Sequence, residues 1–450
     1  MCRVFCSVGI RHPNAGEGKS RVFLNMNPLS YISRSRKVSF YHSSTSYQLV
    51  QKNEDTPISL AELCKECTPP LCSLSPLLFN GHLQTAWTQK AACYTPVYYK
   101  RKIFDSNHSS YEGQFSVDFV VPPYVDTGGH SETNNTEDLP PRTELFEAEE
   151  DVKFLSADDS RPILLVLHGM SGGSNEPYIQ DVLAAVVAQE GGWAACVVNS
   201  RGCANSKLTS GFLYNGRSTW DFRQVVDWLK DKFPNRPLFG IGFSIGANVL
   251  THYLGEEGRD CALKAAIMVS NPWKLEVASH ALRQSWIGKE IYSKILGRNM
   301  RDIVERHIDM ITAIPTIDRD SIRKIKYVQD FDRMIQCPTW GYLTEDAYYR
   351  DASCADAMLA IRIPFLAIQA EDDPISPKHG IPFAEFARSP FGVLCMTPGG
   401  GHLGWFEADG GRWFLKPLTR FLDKMLNSVN LEKSTELNKD LDVNFDTTDV

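Results

Sequence analysis

From residue 162 onward, short apolar runs alternate with longer stretches in which apolar residues recur every three or four positions. The runs are ILLVLHG (163–169), AACVVNSRG (194–202), LFGIGFS (238–244), AAIMVSNPW (265–273), PFLAIQAEDDP (364–374) and GVLCMTPGGGH (392–402). Each is apolar at successive positions and too short for a helix, the pattern of a strand buried on both faces. Between them EPYIQDVLAAVVAQEGG, TWDFRQVVDWLKDKFP and IGANVLTHYLGEEG have helical spacing, as does the later GRWFLKPLTRFLDKMLNSV (411–429). Strands alternating with helices predict an α/β fold with a mostly parallel, doubly wound sheet. Ahead of them, PVYYKRKIFDS (96–106) and FSVDFVV (115–121) predict an antiparallel pair.

The rhythm breaks between about 274 and 340, where Trp286, Ile287, Ile291, Tyr292, Ile295 and Leu296 lie in helical segments. An insertion there falls at the C-terminal strand edge, where open α/β sheets bind ligands, so it reads as a helical lid. The same stripe also serves simply to pack the insertion on the body, and the two readings are compatible. The expected organisation is a loosely structured basic segment over 1–60, an α/β domain over 61–429 and an acidic tail over 430–450. Within the domain, 122–160 reads as an acidic, solvated insertion.

Composition narrows the function. The 450 residues are 43% hydrophobic and 22% charged, enough for a large globular domain, and the net charge of −7 argues against a nucleic-acid surface. Residues 1–50 hold seven Lys or Arg, nine Ser and the single acid Glu17, a composition shared by organellar transit peptides and by disordered basic tails. The longest apolar run, VLAAVVA (182–188), falls far short of a membrane-spanning helix. Cys64, Cys67 and Cys72 begin a zinc-like spacing, but no second half-site follows, so the cysteines read as reduced thiols and no metal is expected. An intracellular, cytoplasmic address is expected, with mitochondrial or lipid-associated placement as alternatives.

The chemistry centres on GIGFSIGAN (240–248). A G-x-S-x-G match arises by chance in roughly one in seven chains of this length, so its context decides. LFGIGF is a strand, the helix ANVLTHYL follows at once, and an acid and then a histidine come later at strand ends. That order, Ser244, Asp373, His402, is the order of an α/β-hydrolase, with the serine on a nucleophile elbow. Asp373 is preferred to its neighbour Asp372 because it directly precedes the turn residues Pro374-Ile375. The oxyanion requires two backbone donors, assigned to Ile245 and to Met170 in LHGMSGGSNEP. Asn199-Ser200-Arg201-Gly202 lines the pocket or, in the favoured reading, lets Arg201 tie loops together beneath it. No phosphate-cradling loop is present, and no cofactor is expected.

LFNGHLQTAW (78–87), LHGMSGGSNEPYI, VVNSRGCANSKLTS, GFSIGANVLTHYLGEEG, SNPW, EDDP and GGGHLGWFE together resemble the YheT-like branch of the α/β-hydrolase superfamily. That branch includes fungal medium-chain ethyl-ester synthase/esterases and animal abhydrolase-domain lipases. The resemblance spans roughly residues 75–425 and implies a Ser244, Asp373 and His402 triad. It implies cleavage of short- or medium-chain fatty acyl esters or acylglycerols through a covalent acyl-enzyme. The alternative is transfer of an acyl group from acyl-CoA to ethanol or another alcohol by the same residues. A third reading is a non-catalytic binding protein that has kept the fold. The expected partners are a small acyl ester or acyl-CoA and, peripherally, a membrane or lipid droplet.

Overall fold

The computed structural model describes residues 36–442, apart from 54–55, 92–94, 125–138, 147–158 and 190–191. Its strands are β1 (Ser39–His42), β2 (Gln48–Leu49), β3 (Ile58–Ser59), β4 (Tyr98–Asp105), β5 (Gln114–Val121) and β6 (Thr143–Leu145). They continue with β7 (Ile163–Leu167), β8 (Ala194–Asn199), β9 (Leu238–Phe243), β10 (Leu263–Val269), β11 (Phe365–Ala370) and β12 (Gly392–Thr397). Ten of them form one sheet in the order β1-β12-β11-β10-β9-β7-β8-β5-β4-β6, and β2 pairs with β3.

The six strands from β8 across to β12 run parallel, with β5 and β1 antiparallel at either side. Every residue of β7, β8, β9, β11 and β12 is buried, because helices cover both faces. Those helices include Pro177–Val187, Trp220–Lys232, Ile245–Glu257 and Leu415–Asn427. β7 lies between β8 and β9, so the chain reverses its direction of travel across the sheet there. The loops leaving β7 and β9 diverge and open a crevice at the strands' C-terminal ends.

Between β10 and β11 the chain builds a helical insertion. It contains Leu275–Gln284, the π-helical turn Gly288–Ser293, Lys294–Arg306 and Arg319–Lys324. Glu345–Ala352 continues it past residue 340, where the sequence pattern had suggested its end.

Three stretches differ from the sequence expectation. Residues 36–60 were expected to be loose, yet β1 pairs with β12 and Val38, Tyr47 and Leu49 are buried. The strand is short and at an edge, so its apolar alternation is faint. Within 122–160, Thr143–Leu145 pairs with β4, while 125–138 and 147–158 lie outside the described residues. In the acidic tail, Leu431–Leu437 is a helix capped by Asn430. Its polar side chains complete the backbone of β2: Asn438 Oδ1 accepts from Gln48 N and Ser434 Oγ from Val50 N. Residues 443–450 and the basic 1–35 lie outside the described residues.

Candidate active site

Ser244 directly follows the buried β9 and precedes the helix Ile245–Glu257. Its backbone has φ 52° and ψ −123°, a conformation that L-residues rarely adopt. The neighbouring glycines are required by close backbone approach. A Cβ on Gly242 would stand 2.6 Å from Ala247 Cα, and one on Gly246 would stand 2.4 Å from His168 O. The turn is held further by Ser244 N–H, which donates to Val269 O of β10.

Ser244, His402 and Asp373 form one hydrogen-bonded chain. His402 Nε2 lies 2.8 Å from Ser244 Oγ, and His402 Nδ1 lies 2.8 Å from Asp373 Oδ2. The carboxylate fixes the tautomer: Nδ1–H donates to Asp373, leaving Nε2 to accept the serine proton. Asp373 Oδ1 accepts the backbone N–H groups of Ile375 and Ser376, each at 2.8 Å. Asp372 points elsewhere, accepting Gly401 N–H at 2.9 Å and so gripping the histidine loop instead of the imidazole.

The loop after β7 presents Met170 beside the serine. Its neighbours' amides are engaged: Gly169 N–H donates to Tyr178 Oη, Ser171 N–H to Tyr214 Oη and Gly172 N–H to Gly169 O. The N–H groups of Met170 and Ile245 donate to no group among the described residues, and both residues line the cavity over Ser244. His168 stiffens the same loop, donating from Nδ1 to Gly169 O and accepting Ser200 N–H at Nε2. Burial lowers its pKa to about 4, so it stays neutral in that double role.

The residues that hold the histidine loop were not singled out from sequence. The helix Gly81–Thr88 carries the core of LFNGHLQTAW and packs directly on that loop. Thr85 Oγ1 accepts His402 N–H at 2.8 Å, and Gln84 Oε1 accepts Phe406 N–H at 2.8 Å. A Cβ on Gly81 would overlap Asp372 O. From the other side Arg412 donates to the carbonyls of Leu403 and Gly404 and pairs with Asp181, while Ser270 Oγ accepts Leu403 N–H. The motif itself was the available signal. The partners of Thr85 and Gln84 lie more than three hundred residues away, and spacing along the chain does not reveal them. Arg201 binds Asp221 and the carbonyls of Tyr111 and Glu112, tying loops together.

Above Ser244 lies a cavity of about 210 Å³. Leu275, Leu282, Ile295, Leu296 and Val328 of the insertion form an apolar wall. Two carboxyl groups also line it. Burial pushes Glu176, beside the Met170 loop, up to about 7, and does the same for Asp332, whose Oδ2 accepts the Tyr349 hydroxyl at 2.6 Å. Among the described residues no cluster of three or more His, Cys, Asp or Glu side chains is placed to hold a metal. Cys64, Cys67 and Cys72 are buried in the core, and burial raises their thiols, Cys67 to about 12.

A central mostly parallel sheet with a serine elbow after one strand, and an acid and a histidine after two later ones, defines a class. Residues 162–409 match the alpha/beta hydrolase fold family, and the chain belongs to it. It is 35% identical to the monoacylglycerol lipase of Saccharomyces cerevisiae over 394 residues, covering 83% of this chain and 86% of that one. It is 29% identical to the yeast protein named medium-chain fatty acid ethyl ester synthase/esterase 2, covering 84% and 92%. Phospholipase ABHD3 of Mus musculus is 32% identical over 250 residues, covering 55% of this chain and 59% of that one. No helix among the described residues is long and apolar enough to cross a membrane.

Proposed function

We propose that Ser244 opens fatty acyl esters by forming a covalent acyl-enzyme, with acylglycerols as the main substrate class. The protein is an ester hydrolase. The observation that carries the mechanism is the continuous Ser244–His402–Asp373 hydrogen-bond chain at the foot of an apolar cavity. A serine hydroxyl is a weak nucleophile until a base takes its proton. His402 Nε2 takes it as Oγ attacks the carbonyl carbon, and Asp373 stabilises the imidazolium. The developing oxyanion accepts the N–H groups of Met170 and Ile245, which cost no reorganisation at that moment. His402 then returns the proton to the departing alcohol, and water, activated by the same imidazole, releases the fatty acid. The apolar wall from the insertion holds the acyl chain, and the relative named as a monoacylglycerol lipase supports the substrate class.

A second reading keeps every residue and replaces the water by an alcohol. One relative's name includes ester synthesis as well as esterase activity, which is why it stands. Two assays decide. Monoacylglycerol is expected to yield free fatty acid with the wild type, and His402→Ala to lose about 10³-fold or more of that rate. Medium-chain acyl-CoA offered with ethanol is expected to yield mainly free acid. A product dominated by ethyl ester would replace hydrolysis by transfer, and unchanged turnover in His402→Ala would overturn both.

A further inference from the structure

We propose that the outer face of the helical insertion docks on an anionic phospholipid bilayer and delivers the cavity mouth to it. The inference rests on the reading of the site as an acyl-ester hydrolase. Trp286 is 72% exposed and Ile291 38% exposed, on the stretch of chain between the cavity-lining residues Leu282 and Ile295. Between 283 and 298 the chain carries Arg283, Lys289, Lys294 and Arg298 against the single acid Glu290. All four cations are exposed, in a protein whose overall charge is −7, so positive charge is concentrated where the apolar side chains protrude.

Two further observations connect this face to the chemistry. A surface groove is lined by Lys294, Arg298, Arg301 and Lys326 with Ile291, Ile295 and the single acid Glu290, and Ile295 also lines the Ser244 cavity. Glu290 accepts the Tyr327 hydroxyl and pairs with Lys294 at 3.7 Å, which leaves the groove with three further cations against that one acid. The second connection runs through Tyr292, which stacks on His82 with ring centroids 5.8 Å apart and lies 2.9 Å from His82 Nδ1. His82 belongs to the helix whose Thr85 and Thr88 line the cavity and whose Trp87 is 47% exposed. Trp87 and Trp286 therefore stand on two segments that meet at His82 and Tyr292 and that each contribute residues to the cavity lining. A tryptophan ring with an apolar body and a polar N–H suits the headgroup level of a bilayer, and flanking lysines and arginines suit its anionic lipids.

The test is co-sedimentation of the full chain with vesicles of phosphatidylcholine alone or with about one-third phosphatidylserine. Wild type is expected to bind the anionic vesicles at least about tenfold more tightly, with binding falling as salt rises. The Lys289→Glu, Lys294→Glu, Arg298→Glu triple variant is expected to lose that preference, and Trp286→Ala to weaken binding about tenfold. Both variants should hydrolyse a water-soluble short-chain ester like wild type, which also shows that they fold, yet turn over vesicle-borne ester more slowly. Indifference of wild type to lipid charge, or wild-type binding by the triple variant, would overturn the proposal. So would a concentration-dependent dimer abolished by Trp286→Ala, because the face would then serve a second copy. If wild type binds vesicles but leaves the soluble ester intact, the hydrolase reading fails and the docking surface stands.

Discussion

Thr85 Oγ1 accepts the backbone N–H of His402 at 2.8 Å, joining an N-terminal helix to the loop that carries the imidazole. The same hydroxyl donates to Gly81 O, so its geometry is fixed from both sides. Thr85→Val keeps the shape and leaves the buried His402 N–H unpaired, at a cost of about 1–3 kcal/mol. Turnover of a soluble ester is expected to fall about tenfold or more while the fold is retained, and Thr85→Ser should restore most of it. Equal rates for Val and Ser would show that the contact does not position the histidine.

Asp373 and Asp372 are adjacent yet serve different groups, one bonding His402 Nδ1 and the other Gly401 N–H. Asp373→Asn presents the wrong group to the imidazole and is expected to lower kcat by about 10³- to 10⁴-fold. Asp372→Asn keeps an oxygen for Gly401 N–H, and its loss should stay within about tenfold. Steady-state kinetics on the two variants check this. The reverse ranking would reassign the acid.

The elbow depends on the missing side chain at Gly246, where a Cβ would press on two carbonyl oxygens, at 2.4 Å from His168 O and 2.6 Å from Leu167 O. Gly246→Ala is expected to destabilise the protein by about 1–3 kcal/mol or more, because backbone on both sides must move. At Gly380 the nearest atom would be 3.4 Å away, so Gly380→Ala serves as the control and should stay within about 0.5 kcal/mol. Thermal melts of both variants give the comparison.

Asp332 sets a pH dependence of stability. Burial raises its pKa to about 7, so the folded protein keeps a proton there that the unfolded chain releases near an ordinary carboxyl pKa. Its contribution is full below that ordinary value and is lost as pH rises towards 7, with a slope of at most about 1.4 kcal/mol per pH unit. Asp332→Asn keeps an acceptor for the Tyr349 hydroxyl and carries no charge. The variant should therefore gain on wild type as pH rises from about 4 to 7 in paired denaturation curves. A constant difference across that window would show that Asp332 titrates normally.

Much of this arrangement was legible in the chain because its signals are local. Fully buried strands such as Ile163–Leu167 read as continuous apolar runs, and glycines flank Ser244 where the backbone crowds. The order of Ser244, Asp373 and His402 follows from strand ends. What escaped depends on contacts distant in sequence. Asn438 and Ser434 order the tail by completing β2, and nothing in an acid-rich stretch reveals that partner. Likewise Gln84 and Thr85 stood inside a recognised motif without a role, since their partners Phe406 and His402 are placed only by folding. The edge strand β1 is short and half polar, and it gains its order from pairing with β12.

The covalent acyl-enzyme at Ser244 is open to direct measurement. The wild-type protein, treated with a fluorophosphonate and digested, is expected to carry one adduct mass on the peptide containing Ser244. Ser244→Ala, with a circular dichroism spectrum like that of the wild type, is expected to carry none and to hydrolyse no monoacylglycerol. An adduct on another residue, or equal labelling of both proteins, would contradict Ser244 as the nucleophile.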